Sequence, residues 1–164
     1  MPIVQRDIIL FPKDECIVKA VLFPRFALEL IIQYRQSEIY TPESGGMILG
    51  RIRGEYLDIA HVTEPGGHDF QSRFQFIRRD YGHHQVALDA WETSNSEVGY
   101  LGEWHTHPED SPMPSSIDLA GWKKVIRDGH SPYCLFIIVG ILSFYFCVGC
   151  KNLVGDVFFH EFEE

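Results

Sequence analysis

With 45% apolar and 13% aromatic residues, 164 residues suffice for one core, and 1–164 is read as a single domain. A formal charge of −9, from 23 acidic against 14 basic side chains, opposes the counterion-releasing contacts that bind nucleic acid, so a nucleic-acid partner is not expected. The longest apolar run, Tyr133 to Val148, is broken by Gly140 and Ser143 and falls short of the roughly 20 residues of a membrane-spanning helix, so no membrane partner is expected either.

The opening MPIVQRDIILFPKDE carries charges at Arg6, Asp7 and Lys13, unlike the apolar stretch of a secretory signal, which makes the cytoplasm the expected location. Ile3 to Phe11 and Cys16 to Phe23 are rich in apolar and β-branched residues and read as strands joined at Pro12-Lys13-Asp14. Pro24 suits the first turn of a helix over Arg25 to Arg35, whose stripe of Phe26, Leu28, Leu30, Ile31 and Tyr34 faces a core. Pro42-Glu43-Ser44-Gly45-Gly46 interrupts regular structure before a strand from Met47 to Arg53, which Gly54 turns into a second strand from Glu55 to Val62. Thr63 to Ser72, with Pro65, Gly66 and Gly67, reads as loop, Phe74 to Arg78 as a strand and His83 to Ser94 as a helix.

Val98 to Trp104 is a strand leading into His105-Thr106-His107-Pro108. Two imidazoles one residue apart project to the same side of an extended segment and can reach one metal ion at roughly 2.0 Å. The loop Pro108 to Pro114 holds three prolines, which stiffen it. A helix from Ser115 to Arg127 follows, with Ile117, Leu119, Trp122, Val125 and Ile126 at helical spacing, and it places Asp118 in the first turn as a third ligand. Three protein ligands leave one tetrahedral position open, as in a catalytic rather than a structural zinc site. Ser115 and Asp118 equally fit a capping box with no metal, and the two readings are compatible. Tyr133 to Val139, Leu142 to Val148 and Asp156 to Phe162 complete the strands, giving an α+β or α/β-type architecture with a mixed, curved sheet and flanking helices.

PESGGMILG around Glu43, followed by GEWHTHPEDSPMPSSIDLAGW, resembles the signature of the JAMM (MPN-plus, JAB-type) zinc metalloproteases: a distant Glu, His-x-His-Pro, seven residues to Ser, and Asp three later. The resemblance runs from about Phe23 to Val148 and implies a JAB/MPN fold of cytidine deaminase-like type. It implies one catalytic Zn2+ on His105, His107 and Asp118, Glu43 as general base, and Ser115 as donor to the developing oxyanion. Strand parity alone nominates Glu103 as a rival base, sharing a face with His105 and His107, whereas the family pattern selects Glu43 and leaves Glu103 a supporting residue. Gly102 to Pro108, Pro114 to Asp118 and the nearby Trp122 are most similar to the bacterial isopeptidases of antiphage operons, particularly those accompanying CBASS signalling enzymes or bacterial ubiquitin-like conjugation systems. That similarity implies hydrolysis of the amide bond after the C-terminal tail of a conjugated protein, ubiquitin-like or of CD-NTase type, which frees it from target lysines. Trimming of sulfur-carrier tails and a non-catalytic JAB-fold scaffold are the alternatives.

The remaining side chains receive plainer readings. Arg73, Arg78 and Arg79 form a basic cluster with no assigned role. His83-His84, at a helix start, is the pair best placed among the other histidines for a substrate contact. Cys147-Val-Gly-Cys150 has the spacing of half a zinc knuckle, which Cys134 or His160 could complete. Without a second such pair, the four cysteines read as reduced thiols in and beside a terminal strand.

Overall fold

Strand alternation sorts the apolar residues of this chain onto two faces of one sheet. The computed structural model describes residues 7–164, and the start of the first expected strand lies outside them. Among the described residues the order is β1 (Ile8–Pro12), β2 (Ala20–Phe23), α1 (Arg25–Ile32), β3 (Gly45–Arg53), β4 (Tyr56–Val62), β5 (Phe70–Ser72), β6 (Gln75–Ile77), α2 (Gly82–Thr93), β7 (Gly99–Thr106), α3 (Ser116–Asp128), β8 (Tyr133–Val139), β9 (Phe144–Lys151) and β10 (Val157–Glu163). Eight strands pair in the order β1-β10-β9-β8-β7-β3-β4-β2 and close into a barrel through β1 and β2. The pairs β2–β4 and β7–β8 are parallel and the rest antiparallel, so the sheet is mixed as expected and curved enough to close.

On β8, Leu135, Ile137 and Val139 face the interior, where they pack with Leu10, Phe23, Ile48 and Trp104 around the α1 residues Ala27, Leu28 and Ile31. The alternate residues Cys134, Phe136 and Ile138 face outward and meet Trp122 and Ile126 of α3. Trp122 stacks on Phe136 with ring centroids 4.6 Å apart, which fixes α3 against the outer face. α2 covers the neighbouring outer patch of Met47, Leu49 and Val98 through Ala90. This two-faced burial carries over to β7: Trp104 turns inward, and His105 turns toward the α3 side.

Several boundaries differ from the periodicity reading. Residues 13–19, expected partly as strand, are loop, held by Lys19 Nζ donating to the Cys16 carbonyl and Lys19 N to that of Glu55. α1 ends at Ile32, beyond which Gln33, Tyr34 and Arg35 make tighter i→i+3 bonds. β3 begins at Gly45, inside the stretch read as a break, and Phe70–Ser72, read as loop, is a strand paired with β6 in a separate two-stranded sheet. β9 starts at Phe144 rather than Leu142. A bulge between β3 and β7 is accommodated at Gly102, whose φ is +150° and where a Cβ would lie 1.7 Å from the Leu135 carbonyl oxygen.

Candidate metal centre

Antiparallel pairing of β3 with β7 sets Gly45 opposite His105, so the residues just before β3 arrive beside the histidines at the end of β7. His105 is the penultimate residue of β7 and His107 follows its end, and their ring centroids are 4.8 Å apart. His107 N donates to the Val139 carbonyl and Thr106 N to that of Ser44, which lock the direction of the turn. Asp118 stands in the first turn of α3. His105 Nε2 lies 3.3 Å from Asp118 Oδ1 and His107 Nε2 3.3 Å from Oδ2, and the two Nε2 atoms are 3.0 Å apart.

These separations test whether the donor set suits a metal. Ligands around a tetrahedral ion with bonds of roughly 2.0 Å stand roughly 3.3 Å apart. The imidazole and carboxylate atoms match that spacing, and nitrogen and oxygen are the donors zinc accepts. Without a shared cation, two imidazole nitrogens at 3.0 Å are reconciled by a proton between them. The arrangement leans that way: burial opposes a charge on His107, yet Asp118 raises its pKa. Asp118 likewise falls below the usual carboxylate range, because the two histidines and the Ser115 backbone N–H outweigh its burial. A positive charge belongs between these groups, and His105, His107 and Asp118 could hold a divalent ion there.

The capping box expected at Ser115 and Asp118 is formed. Ser115 is the N-cap of α3, its Oγ accepts from Asp118 N at 3.1 Å, and its backbone N–H donates to Asp118 Oδ2 at 2.7 Å. The cap therefore orients the carboxylate, and the Ser115 hydroxyl, exposed at the cleft, keeps its hydrogen for donation.

Glu43 is 6% exposed, and its carboxylate lies with the ligand nitrogens of His105 and His107 in a group whose atoms are all within 4.8 Å of one another. Burial pushes its pKa up to about 7 against the pull of His105 and His107, with Asp118 adding to the rise. A carboxyl poised there suits proton transfer at neutral pH, while Asp118, in contact with both imidazoles, is the better ligand. The rival Glu103 is paired with Arg78 at 3.1 Å, which commits its carboxylate to a guanidinium.

Two clefts of about 300 and 820 Å³ meet at Glu43, Phe76, Ile77, Ile117 and Asp118. The first runs past Arg78, Glu103 and Trp122, and the second past Phe74, His107 and Ser115. The β5–β6 hairpin forms a wall of both clefts, and it also anchors the Glu43 segment. Glu43 N donates to the Ser72 carbonyl, and Gln71 Nε2 donates to the Glu43 carbonyl and to Ser44 Oγ. At Gly45 a Cβ would stand 2.6 Å from the Trp104 carbonyl oxygen and 2.7 Å from the Phe76 ring, so the strand carrying Glu43 can approach β7 and the hairpin only as glycine.

Sequence reasoning missed Gln71, Thr106 and Gln36. Thr106 Oγ1 accepts from Ser44 N and donates to Gln36 Oε1, tying the Glu43 segment to the chain after α1. Buried polar side chains between apolar strands offered a signal, yet their partners lie far along the chain.

His83 corrects one expectation. It is 2% exposed, with Nε2 on Asp69 Oδ2 and Nδ1 on Thr63 Oγ1, both at 2.6 Å, and it faces no substrate. Thr63 Oγ1 also accepts from Met47 N, so its hydrogen goes to His83 Nδ1 and Nε2–H goes to Asp69. The result resembles a nucleophilic triad, but the hydroxyl is buried and the network instead fastens the loop leading into β5. His84 is exposed beside Tyr81. Arg73 donates to the Glu38 and Ile39 carbonyls, Arg78 binds Glu103, and Arg79 lies over the Phe70 ring, so the basic cluster braces the hairpin.

The family of prokaryotic homologs of the JAB domain matches residues 27–148. A protein of Vibrio cholerae serotype O1 named CD-NTase/cGAS isopeptidase is 38% identical over 139 residues, 85% of this chain and 87% of that relative. A Pseudomonas aeruginosa protein of the same name is 39% identical over 138 residues, covering 83% and 87%. An Escherichia coli protein, also so named, is 46% identical over 89 residues, covering 54% and 57%. The solution structure of protein DSY2949 from Desulfitobacterium hafniense superposes with a TM-score of 0.54 at 19% identity over 82% of this chain and 86% of that one, a likeness of fold.

Proposed function

The chain belongs to the family of prokaryotic homologs of the JAB domain, and from that premise we propose that it is a zinc-dependent isopeptidase. The relatives named CD-NTase/cGAS isopeptidase support a CD-NTase-type conjugate as its substrate; in this reading the C-terminal tail of that protein is joined to a lysine, and the setting is cytoplasmic antiphage defence. The observation that carries the reading is the convergence of His105, His107 and Asp118 at ligand spacing with Glu43 beside them where two clefts meet.

In this reading His105, His107 and Asp118 hold one zinc ion, which when bound polarises the scissile carbonyl and eases deprotonation of a water. Glu43 takes a proton from the attacking water and returns it to the leaving lysine nitrogen as the carbon–nitrogen bond breaks. The Ser115 hydroxyl donates to the carbonyl oxygen as it gains charge. Asp118 is held in place by Ser115 N, and the ring of Trp122, with centroid 6.2 Å from that of His105, limits water on that side. β6 pairs with β5 along one edge, and Phe76 and Ile77 line both clefts. The tail adds as an extended strand along the outer edge of β6, which presents its backbone to the reacting groups.

The test is a CD-NTase-type tail joined to a lysine-bearing peptide, incubated with the chain with and without a chelator and followed by intact mass. Chelator-sensitive release of the tail at the isopeptide bond is expected. Chelator-insensitive release, or cleavage confined to sulfur-carrier tails, would refute the assignment.

A further inference from the structure

At the barrel end away from His105, a second set of metal-ligating side chains converges that the proposed reaction does not use. Cys16 lies in the loop after β1, Cys150 near the end of β9 and His160 on β10, and their ligand atoms are all within 4.8 Å of one another. Strand alternation explains the grouping. Cys150 faces inward with Phe146 and Val148, while Cys147 faces α3, so the Cys-x-x-Cys spacing along an extended strand puts its two thiols on opposite sides of the sheet. The register Phe158↔Cys150 and His160↔Val148 sets His160 on the face of Cys150, one diagonal step away. Along β8, Tyr133 pairs with Cys150 and Ile138 with His105, so the five residue steps from 133 to 138, roughly 16 Å at about 3.3 Å each, separate the two clusters.

The surroundings suit a cation. Asp14 Oδ1 lies 3.1 Å from His160 Nδ1, and a carboxylate accepting there leaves the Nε2 lone pair free, as for many metal-binding histidines. Cys16 and Cys150 are 4% and 7% exposed, so both thiols are withdrawn from solvent beside His160. A cleft lined by Cys16, Cys150 and His160 gives an entry path.

The geometry points to a second metal site, for one soft divalent cation, zinc by ligand preference, held by Cys16, Cys150 and His160. Binding forms two sulfur–metal bonds and one nitrogen–metal bond and releases the thiol protons to solvent, with no change of oxidation state. One tetrahedral position remains for water. The site clamps the barrel where it closes most thinly: β1 and β10 share two register pairs, Phe11↔Glu163 and Pro12↔Phe162, and the ion would tie the loop after β1 to β9 and β10 across that seam.

Cobalt(II) titrated into the reduced, metal-free full chain separates this site from the first. Thiolate ligation gives an intense near-ultraviolet charge-transfer absorption that a site of two histidines and an aspartate lacks. The band should saturate at one equivalent in Asp118→Ala, reach the same final amplitude in the wild type, where the first site also takes cobalt, persist in Cys147→Ser, and be lost in Cys16→Ser and Cys150→Ser. His160→Ala, at a side chain 21% exposed, should weaken cobalt binding at least tenfold and serves if a cysteine variant fails to fold. Absence of the band in the reduced wild type, or its survival in a folded Cys150→Ser chain, overturns the proposal. A Cys16–Cys150 crosslink with no band after reduction overturns it in favour of a redox pair.

Discussion

Replacing Asp69 with Asn should destabilise the fold in a pH-dependent way, although Asp69 lies outside the cluster proposed to react. Asp69 Oδ1 accepts from the backbone N–H groups of Arg79 and Asp80, and Oδ2 accepts from Gly66 N and His83 Nε2, at 2.6 to 2.8 Å. Its side chain is 0% exposed. Burial alone would raise its pKa, but the donors from Asp80, Gly66, His83 and Arg79 overcome it and lower the value from 3.8 to about 2. At 1.36 kcal/mol per pKa unit the ionised form contributes about 2 kcal/mol to folding. Because the folded value is the lower one, that contribution is complete well above the unfolded value of 3.8 and is lost as pH falls toward about 2. An Asn amide would point a donor at Gly66 N–H or His83 Nε2–H, a mismatch of a further 1 kcal/mol or more by order of magnitude. Urea unfolding of both proteins from neutral pH downward is the assay. The wild type should be more stable by about 2–3 kcal/mol at neutral pH, and the gap should narrow below about pH 4. Equal midpoints at neutral pH, or a gap constant into acid, would refute the reasoning.

Other expectations concern the cleft. Glu43→Gln removes the proposed proton carrier and spares the three proposed ligands, so cleavage should fall by about 10²–10⁴-fold with zinc content unchanged, measured on one preparation. Since Glu43 acts ionised and burial lifts it to about 7, kcat/KM should rise with pH along a limb centred at or below about 7, a bound cation moving it down. A limb unchanged in Glu43→Asp would assign it to another group. Ser115→Ala removes the cap to Asp118 N and the oxyanion donor, so urea unfolding should show a loss of about 1 kcal/mol and kcat should fall by about 10²-fold, while Ser115→Thr should retain most of both. Gly45→Ala forces a Cβ against the Trp104 carbonyl and Phe76, and should lower both thermal stability and activity by shifting Glu43 and the hairpin.

What the sequence revealed tracks how local each interaction is. His105 and His107 share a strand direction, and Ser115 and Asp118 share one helical turn, so spacing alone located them. Glu43 required the family resemblance, because its place depends on the Gly45↔His105 pairing across some sixty residues, which strand parity in one segment cannot express. The α+β class was plain from alternation, but barrel closure rests on β1 meeting β10 from opposite ends of the chain. The β5 strand escaped notice because Phe70-Gln71-Ser72 is three residues long and largely polar, too short for a period. Cys147 and Cys150 attracted attention by spacing that the strand geometry cancels, and Cys16, the partner of Cys150, was hidden by distance along the chain.

The central claim is that His105, His107 and Asp118 hold the cation on which amide cleavage depends. Zinc titrated into the chelator-stripped Cys150→Ser chain, with release of the conjugated tail followed by intact mass, isolates that site from the Cys16–His160 cluster. No release before zinc, and release rising to a plateau at one equivalent, is expected, with Asp118→Ala in the same background staying inactive. Undiminished release from the stripped chain, or full restoration by zinc in the Asp118→Ala variant, would contradict the claim.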